Sequence, residues 1–354
     1  MNKLADAIEE NFDMLVAAES RDNGKPLSLA AKVDIPRASA NLRFFAGAIL
    51  HDSSDVHEMD GEAINYTLRV PIGVAACISP WNLPLYLLTW KIAPALATGN
   101  TVVAKPSEIT PMTAYLLSKI CKEINFPKGV LNIIHGRGEK LGDALTTHQD
   151  VPIVSFTGGS DTGKHISKVT APYFKKLSLE LGGKNPNIIF DDCDFDKAVS
   201  TASRAAFTNQ GQICLCGSRV FVQNKIYEKF KSALVDKAKK LIVGDPKNSN
   251  SHLGAVVSEE HMNKILLKIN EAKKLGGILL CGGERLILEG ELKNGYYIQP
   301  TVFENLAYDC SINNEEIFGP VVTLIPFESE DDVIMMANSS EFGLSASIFT
   351  KDIS

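Results

Sequence analysis

The spacing of apolar positions along this chain changes several times, and each change marks a predicted element. Leu4, Ile8, Phe12 and Leu15 recur at three- and four-residue intervals, which predicts a helix near residues 2–20. The run Asn23-Gly24-Lys25-Pro26 breaks that pattern, and a second helix is predicted over about 28–50. A polar stretch from His51 to Asp60 follows. From Gly73 short apolar runs alternate with helical spacing: strands at 74–79, 101–104, 130–135 and 153–156, with helices near 84–97, 111–123 and 139–147. Such alternation predicts a parallel sheet covered by helices on both faces.

After Glu180 the pattern resets into a second α/β unit. Strands are predicted at 188–190, 220–222, 278–280, 297–300, 321–325 and 346–349, with helices near 194–207, 225–240, 259–275 and 330–338. No internal repeat is visible. A strand at 346–349 lies five residues before the final Ser354, and the last element of a domain normally has something to pair or pack with.

Length and composition narrow the class. A chain of 354 residues suggests about two domains, and 45% hydrophobic with 22% charged residues is ordinary for a globular protein. A net charge of −6 without a Lys/Arg block argues against nucleic acid and anionic membranes as partners and favours small molecules. Seven cysteines, an odd number with no Cys-x-x-Cys, indicate neither a disulfide framework nor a zinc site; no metal is expected. With no signal-type leader and no apolar run approaching 18 residues, the chain reads as cytoplasmic.

The candidate chemistry centres on two segments, Glu180-Leu181-Gly182-Gly183-Lys184 and Gly211-Gln212-Ile213-Cys214, which set Glu180 and Cys214 34 positions apart. A thiol beside glycines that let a ligand approach the backbone suits covalent catalysis, and Cys214 is the candidate nucleophile. Cys216 fits a small buried side chain best, ahead of a second reactive thiol or an oxidation partner. Glu180, at a strand end, suits a general base for water or, equally, a surface carboxylate on a turn. Asn82 follows the first strand of the parallel sheet, where ligands of open α/β sheets bind and a side-chain amide can donate to an oxyanion. Thr157-Gly158-Gly159-Ser160-Asp161-Thr162-Gly163 is either an anion site at a helix start or a tight turn. Lys105 and Glu108 suit a ribose, with the carboxylate favouring NAD over NADP, or are two solvated charges.

At these residues the chain resembles the aldehyde dehydrogenase superfamily. Pro80-Trp81-Asn82, Lys105-Pro106-Ser107-Glu108, Phe156-Thr157-Gly158 with Gly163, Leu179 to Lys184, Gly211-Gln212-x-Cys214 with Arg219, and Glu315 to Pro320 occur in the family's order and spacing. The resemblance implies a Rossmann-like NAD-binding domain over 1–181, with a bridging hairpin near 52–72, and a second α/β catalytic domain over 182–354. It implies attack by Cys214 on an aldehyde, an oxyanion held by Asn82 and the Cys214 N–H, and thioester hydrolysis assisted by Glu180. NAD would meet Ser79, Pro80, Trp81, Lys105, Ser107, Glu108, Gly138, Gly142, Phe156 to Gly159, Gly163, Leu181, Glu316 and Phe318.

Within the superfamily, Asp34 to Arg37, Leu42 to Ala46 and Ile78 to Lys91 are most similar to the 2-aminomuconic and 2-hydroxymuconic semialdehyde dehydrogenases. Their substrates carry a carboxylate, which an arginine holds through two parallel hydrogen bonds, and Arg37 is the candidate. Relative to full-length members, the chain lacks strands before the first helix and the last part of the catalytic domain. The expected protein is therefore a fragment or shortened form, incomplete at its C-terminus and a homodimer or homotetramer when full length. Other readings are an enzyme of different aldehyde specificity, or a non-catalytic shortened paralogue that binds NAD.

Overall fold

The computed structural model describes residues 1–352. The chain forms two compact units, one of Met1–Asp22 with Ala30–Glu180, the other of Asn23–Leu29 with the chain from Leu181 onward. In the first unit, five parallel strands lie in the order Leu131–Ile133, Thr101–Lys105, Val74–Ile78, Ile153–Thr157, Lys176–Glu180. The first strand of the sheet is thus its middle one, with Ile78 opposite both Lys105 and Phe156. Its neighbours run outward on one side before the chain returns to the other, which leaves a switch point beyond the ends of Val74–Ile78 and Ile153–Thr157. Pro84 begins the helix Pro84–Ala97 at a position whose N–H needs no partner, and Leu85, Leu88, Ile92 and Ala93 bury its inner face.

Two departures at the N-terminus have local causes. The first predicted helix is two, Asn2–Glu10 and Phe12–Asn23, because the Asn11 side chain donates to the Ala7 carbonyl at 2.9 Å and competes with the backbone ladder. The second begins as Leu27–Leu29 and a wider turn, Ala30–Asp34, before Ile35–Ala48 starts with Pro36 in its first turn. The polar stretch leads into the hairpin Val56–Met59 with Ala63–Tyr66, turned by Asp60 and Gly61 at φ 49° and 77°. Both strands are exposed along their whole length, so Val56, Met59, Ile64 and Tyr66 face solvent.

The second unit holds six strands in the order Ile278–Cys281, Thr301–Glu304, Val321–Phe327, Arg219–Gln223, Pro186–Ile189, Ser347–Phe349, all parallel except the first. The period of two sends Val220 and Val222 to one core, with Phe207, Phe230 and Leu234, and Phe221 to the other, with Ile188, Ile325 and Phe327. Full burial of each such side chain contributes roughly 1.5–3 kcal/mol. The final strand has its partner: Ile348 lies opposite Ile188. The strand predicted at 297–300 divides at Pro300, which has no N–H for a ladder; Tyr297–Ile298 pairs with Arg285–Leu286, and Thr301–Glu304 enters the main sheet. Arg219 is fully buried, its guanidinium donating to the carbonyls of Lys184 at 2.9 Å, Met336 at 3.3 Å and Ala337 at 2.8 Å.

Candidate active site

In the first unit a cavity of about 700 Å³ opens at the switch point of the sheet. Twelve of the residues expected to meet a dinucleotide line it: Ser79, Pro80 and Trp81 after the middle strand, Lys105 at the end of the next with Ser107 and Glu108 beyond it, Gly138 and Gly142 on one helix, and Phe156 and Thr157 at a strand end with Gly158 and Gly159 in the turn before another helix. Glu108 is fixed from two sides. Its Oε1 accepts from the Gly138 N–H at 3.0 Å, at the positive end of the helix Gly138–Thr146, and its Oε2 from Lys105 Nζ at 3.0 Å. Burial works to raise the Glu108 pKa, but these donors overcome it and hold the carboxyl below its ordinary value. Lys105 is almost wholly buried, whereas Glu108 is partly exposed and presents its charge to the cavity.

Two further observations bear on what fits there. The hydroxyls of Ser79 and Thr146 line the cavity, are buried, and have no hydrogen-bond partner among the described residues. The helix Ser160–Thr170 directs its N-terminal N–H groups from Gly159, and the Gly158 N–H itself is taken by the Glu180 carbonyl at 3.0 Å. Gly158 has the Phe156 ring against it, since a Cβ would lie 2.5 Å from that ring. A ribose with hydroxyls for Glu108 and a pyrophosphate near Gly159 match this donor and acceptor set. Gly163 lies buried in the body of that helix and does not line the cavity.

Sequence reasoning missed residues on the two helices that close this cavity. His165 and Asp143 both line it and meet at 2.7 Å. A clearer signal was Lys91, one cation in the apolar run Leu87-Leu88-Thr89-Trp90-Lys91-Ile92-Ala93. It is buried and donates to Ser155 Oγ at 3.2 Å. Burial lowers its pKa to about 8, against the pull of Cys77 and Glu180. Glu180 ends the strand Lys176–Glu180, opposite Thr157, with its side chain exposed. Asn82 is buried in the loop ahead of the helix Pro84–Ala97. Arg37, on the helix Ile35–Ala48, is exposed; its Nη2 donates to the Tyr86 hydroxyl at 3.3 Å, and its guanidinium lies 5.2 Å over the Tyr86 ring.

In the second unit three loops converge on the N-terminal edge of the sheet. Leu181 to Lys184 precede the strand Pro186–Ile189, Gly211 to Ser218 precede Arg219–Gln223, and Glu315 to Pro320 precede Val321–Phe327. Cys214 is partly exposed in a tight turn of the middle loop. Gly211, at φ 71°, has the Gly319 carbonyl where a Cβ would stand, so only glycine lets the two loops meet. Glu316 lies on the Gly182-Gly183 backbone, Oε1 accepting from the Gly183 N–H at 3.1 Å; burial raises its pKa, against that bond and Lys184. Phe318 takes a left-handed φ of 56°, and His261 Nε2 meets its carbonyl at 2.7 Å. Burial pushes the Cys216 thiol up to about 12, the behaviour of an inert side chain.

Burial lowers Lys184 to about 7 and Lys91 to about 8, from an ordinary 10.5. The unfolded chain therefore binds more protons than the folded one above those values, and stability rises with pH there. Cys77 and Cys216, pushed up by burial to about 12, act in the opposite sense only above their ordinary 9.0. The midpoint of thermal unfolding is expected to rise from pH 7 to pH 9, and Lys91→Met to remove part of the rise. A midpoint that falls over that interval contradicts the assignment.

The sequence profile of the aldehyde dehydrogenase family matches residues 1–354. The chain belongs to that family. It is 48% identical over 356 residues to a 2-aminomuconic semialdehyde dehydrogenase of Danio rerio, covering all of this chain and 73% of that protein. A 2-hydroxymuconic semialdehyde dehydrogenase of Pseudomonas sp. (strain CF600) is 42% identical over 359 residues, covering all of this chain and 74% of that protein. Among solved structures, the NAD+ complex of aldehyde dehydrogenase from Bacillus cereus superposes with a TM-score of 0.96 at 42% identity, covering 99% of this chain and 71% of that one. The expected α/β fold and enzyme class are therefore met: this is an oxidoreductase of the aldehyde dehydrogenase family. No helix among the described residues is long and apolar enough to cross a membrane.

Proposed function

We propose that this aldehyde dehydrogenase uses NAD to oxidise a carboxylated semialdehyde, of the 2-aminomuconic type, to the carboxylic acid. The Cys214 thiolate attacks the aldehyde carbon, a C–S bond forms, and the carbonyl π pair moves to oxygen, where Asn82 and the Cys214 N–H donate to it. Bound NAD supplies the acceptor for the hydride that leaves this carbon, so that a thioester remains on Cys214. Glu180 takes a proton from water as the water oxygen attacks the thioester, and the collapsing adduct expels the Cys214 thiolate with the acid. Glu108 and Lys105 hold the adenosine ribose, Gly158 and Gly159 ahead of the helix Ser160–Thr170 face the pyrophosphate, and Leu181, Glu316 and Phe318 position the nicotinamide half.

The observation that carries the substrate class is Arg37, exposed and oriented over Tyr86, with a planar fork that suits a carboxylate. The Arg37→Ala variant is expected to raise KM for a carboxylated semialdehyde by about 10- to 100-fold, the worth of a charged pair of hydrogen bonds, and to leave a neutral aldehyde nearly unchanged. Equal losses on both substrates remove Arg37 from the reading. A second reading, another aldehyde specificity, draws on an Alternaria alternata aldehyde dehydrogenase that is 42% identical over 354 residues, as similar as the hydroxymuconic enzyme. A panel of aldehydes followed by NADH absorbance separates the two, and NAD binding without turnover on any aldehyde favours a binding protein.

Assembly into a homodimer or homotetramer is supported by the apolar side chains that the hairpin Val56–Met59 with Ala63–Tyr66 leaves exposed.

A further inference from the structure

The turn that carries Cys214 belongs to no helix or strand, so its geometry rests on individual hydrogen bonds. Within the turn, the Cys216 N–H donates to the Ile213 carbonyl at 3.0 Å. The carbonyls of Cys214 and Cys216 both point to one side chain outside it. Asn185 Nδ2 donates to the Cys214 carbonyl at 2.6 Å and to the Cys216 carbonyl at 3.0 Å. Asn185 Oδ1 in turn accepts from the Ser345 N–H at 3.1 Å. Both donors and the acceptor of this amide are engaged, and the residue is 3% exposed.

The surroundings make room for the amide in this arrangement. A Cβ on Gly183 would lie 2.7 Å from the Cys214 carbonyl oxygen and 2.9 Å from Asn185 Oδ1, so the glycine makes room for the amide beside the turn. The Asn185 carbonyl accepts from the Arg219 N–H at 3.4 Å, which ties it to the first residue of the strand after the cysteine loop. A buried amide with all its groups satisfied is costly to disturb and rigid in place.

We propose that Asn185 is a positioning residue for Cys214: by bonding the carbonyls on both sides of Leu215 it fixes the backbone from which the thiol and the Cys214 N–H project. The inference rests on Cys214 being the nucleophile. A thiol and an oxyanion donor on the same residue must hold their direction together, and a displacement of about 1 Å costs on the order of 100-fold in rate.

Asn185→Asp keeps the size of the side chain but replaces both N–H donors with an oxygen facing two carbonyl oxygens. It is expected to lower kcat about 100-fold with KM for NAD unchanged, and to slow alkylation of Cys214 by iodoacetamide, followed on the Cys214 peptide by mass spectrometry, about tenfold. Asn185→Ser, with one donor, is expected to fall between this variant and the native chain on both measures. Variants that melt at lower temperature yet keep kcat per folded molecule and the alkylation rate within about twofold overturn the proposal, because the amide would then hold only the fold. Failure of both variants to fold overturns it equally. Should the native chain turn over no aldehyde, the proposed function fails, while the alkylation rates still decide the role of Asn185.

Discussion

A Cys214→Ala chain is expected to form no NADH with any aldehyde while binding NAD as the native chain does. With Cys214 as the proposed nucleophile, its loss removes the covalent step, which for comparable catalytic groups costs at least about 10⁴-fold in kcat. Alanine keeps the Cβ and every backbone bond of the turn, so the loss is chemical rather than structural. Nor can the neighbouring thiol take over: burial pushes Cys216 up to about 12, leaving it protonated near neutrality. Because Trp81 lines the cavity, NAD binding is measurable by quenching of its fluorescence. Residual turnover above about 1% of native would place the nucleophile elsewhere.

Glu180→Gln is expected to separate the two half-reactions. In the proposed sequence, attack and hydride loss precede any need for an activated water, so the first turnover should still release one NADH per chain. The following steady state should fall by about 10²- to 10⁴-fold, the usual worth of a general base. The exchange is nearly isosteric, and the strand position of Glu180 is held by its carbonyl bond to the Gly158 N–H, which the change leaves intact. Stopped-flow absorbance shows the burst, and mass spectrometry of the quenched chain shows the acyl group on Cys214. A burst lost together with the steady state would assign Glu180 to an earlier step.

Short apolar strands flanked by glycine and proline were legible because their burial on both faces leaves a continuous signal, as in Val74–Ile78 and Val321–Phe327. Breaks were less so. Asn11 interrupts a periodic pattern through a side-chain bond to Ala7 that spacing does not encode, and the division at Pro300 depends on a second pair of strands. Twelve of the residues expected to meet NAD line the cavity, most of them at the C-terminal ends of strands, but His165 and Asp143, which line it too, sit within helices and look like ordinary surface charges in sequence. Asn185 was invisible for another reason. Its partners lie 29, 31 and 160 positions away, and only the folded second sheet brings them to one amide.

The order of strands in that second sheet also governs how the protein can be made. Arg219–Gln223 lies between Pro186–Ile189 and Val321–Phe327, so one of its two neighbours emerges from the ribosome about a hundred residues after it. At about 5–20 residues per second, the apolar edge of Val220 to Val222 waits at least roughly five seconds for its cover. Arg219 waits longer, since the carbonyls of Met336 and Ala337 follow later still. The yield of folded chain in a cell is therefore expected to rise when translation runs faster between residues 223 and 321 or when chaperones that shield a nascent strand edge are supplied, as soluble yield in expression trials would show.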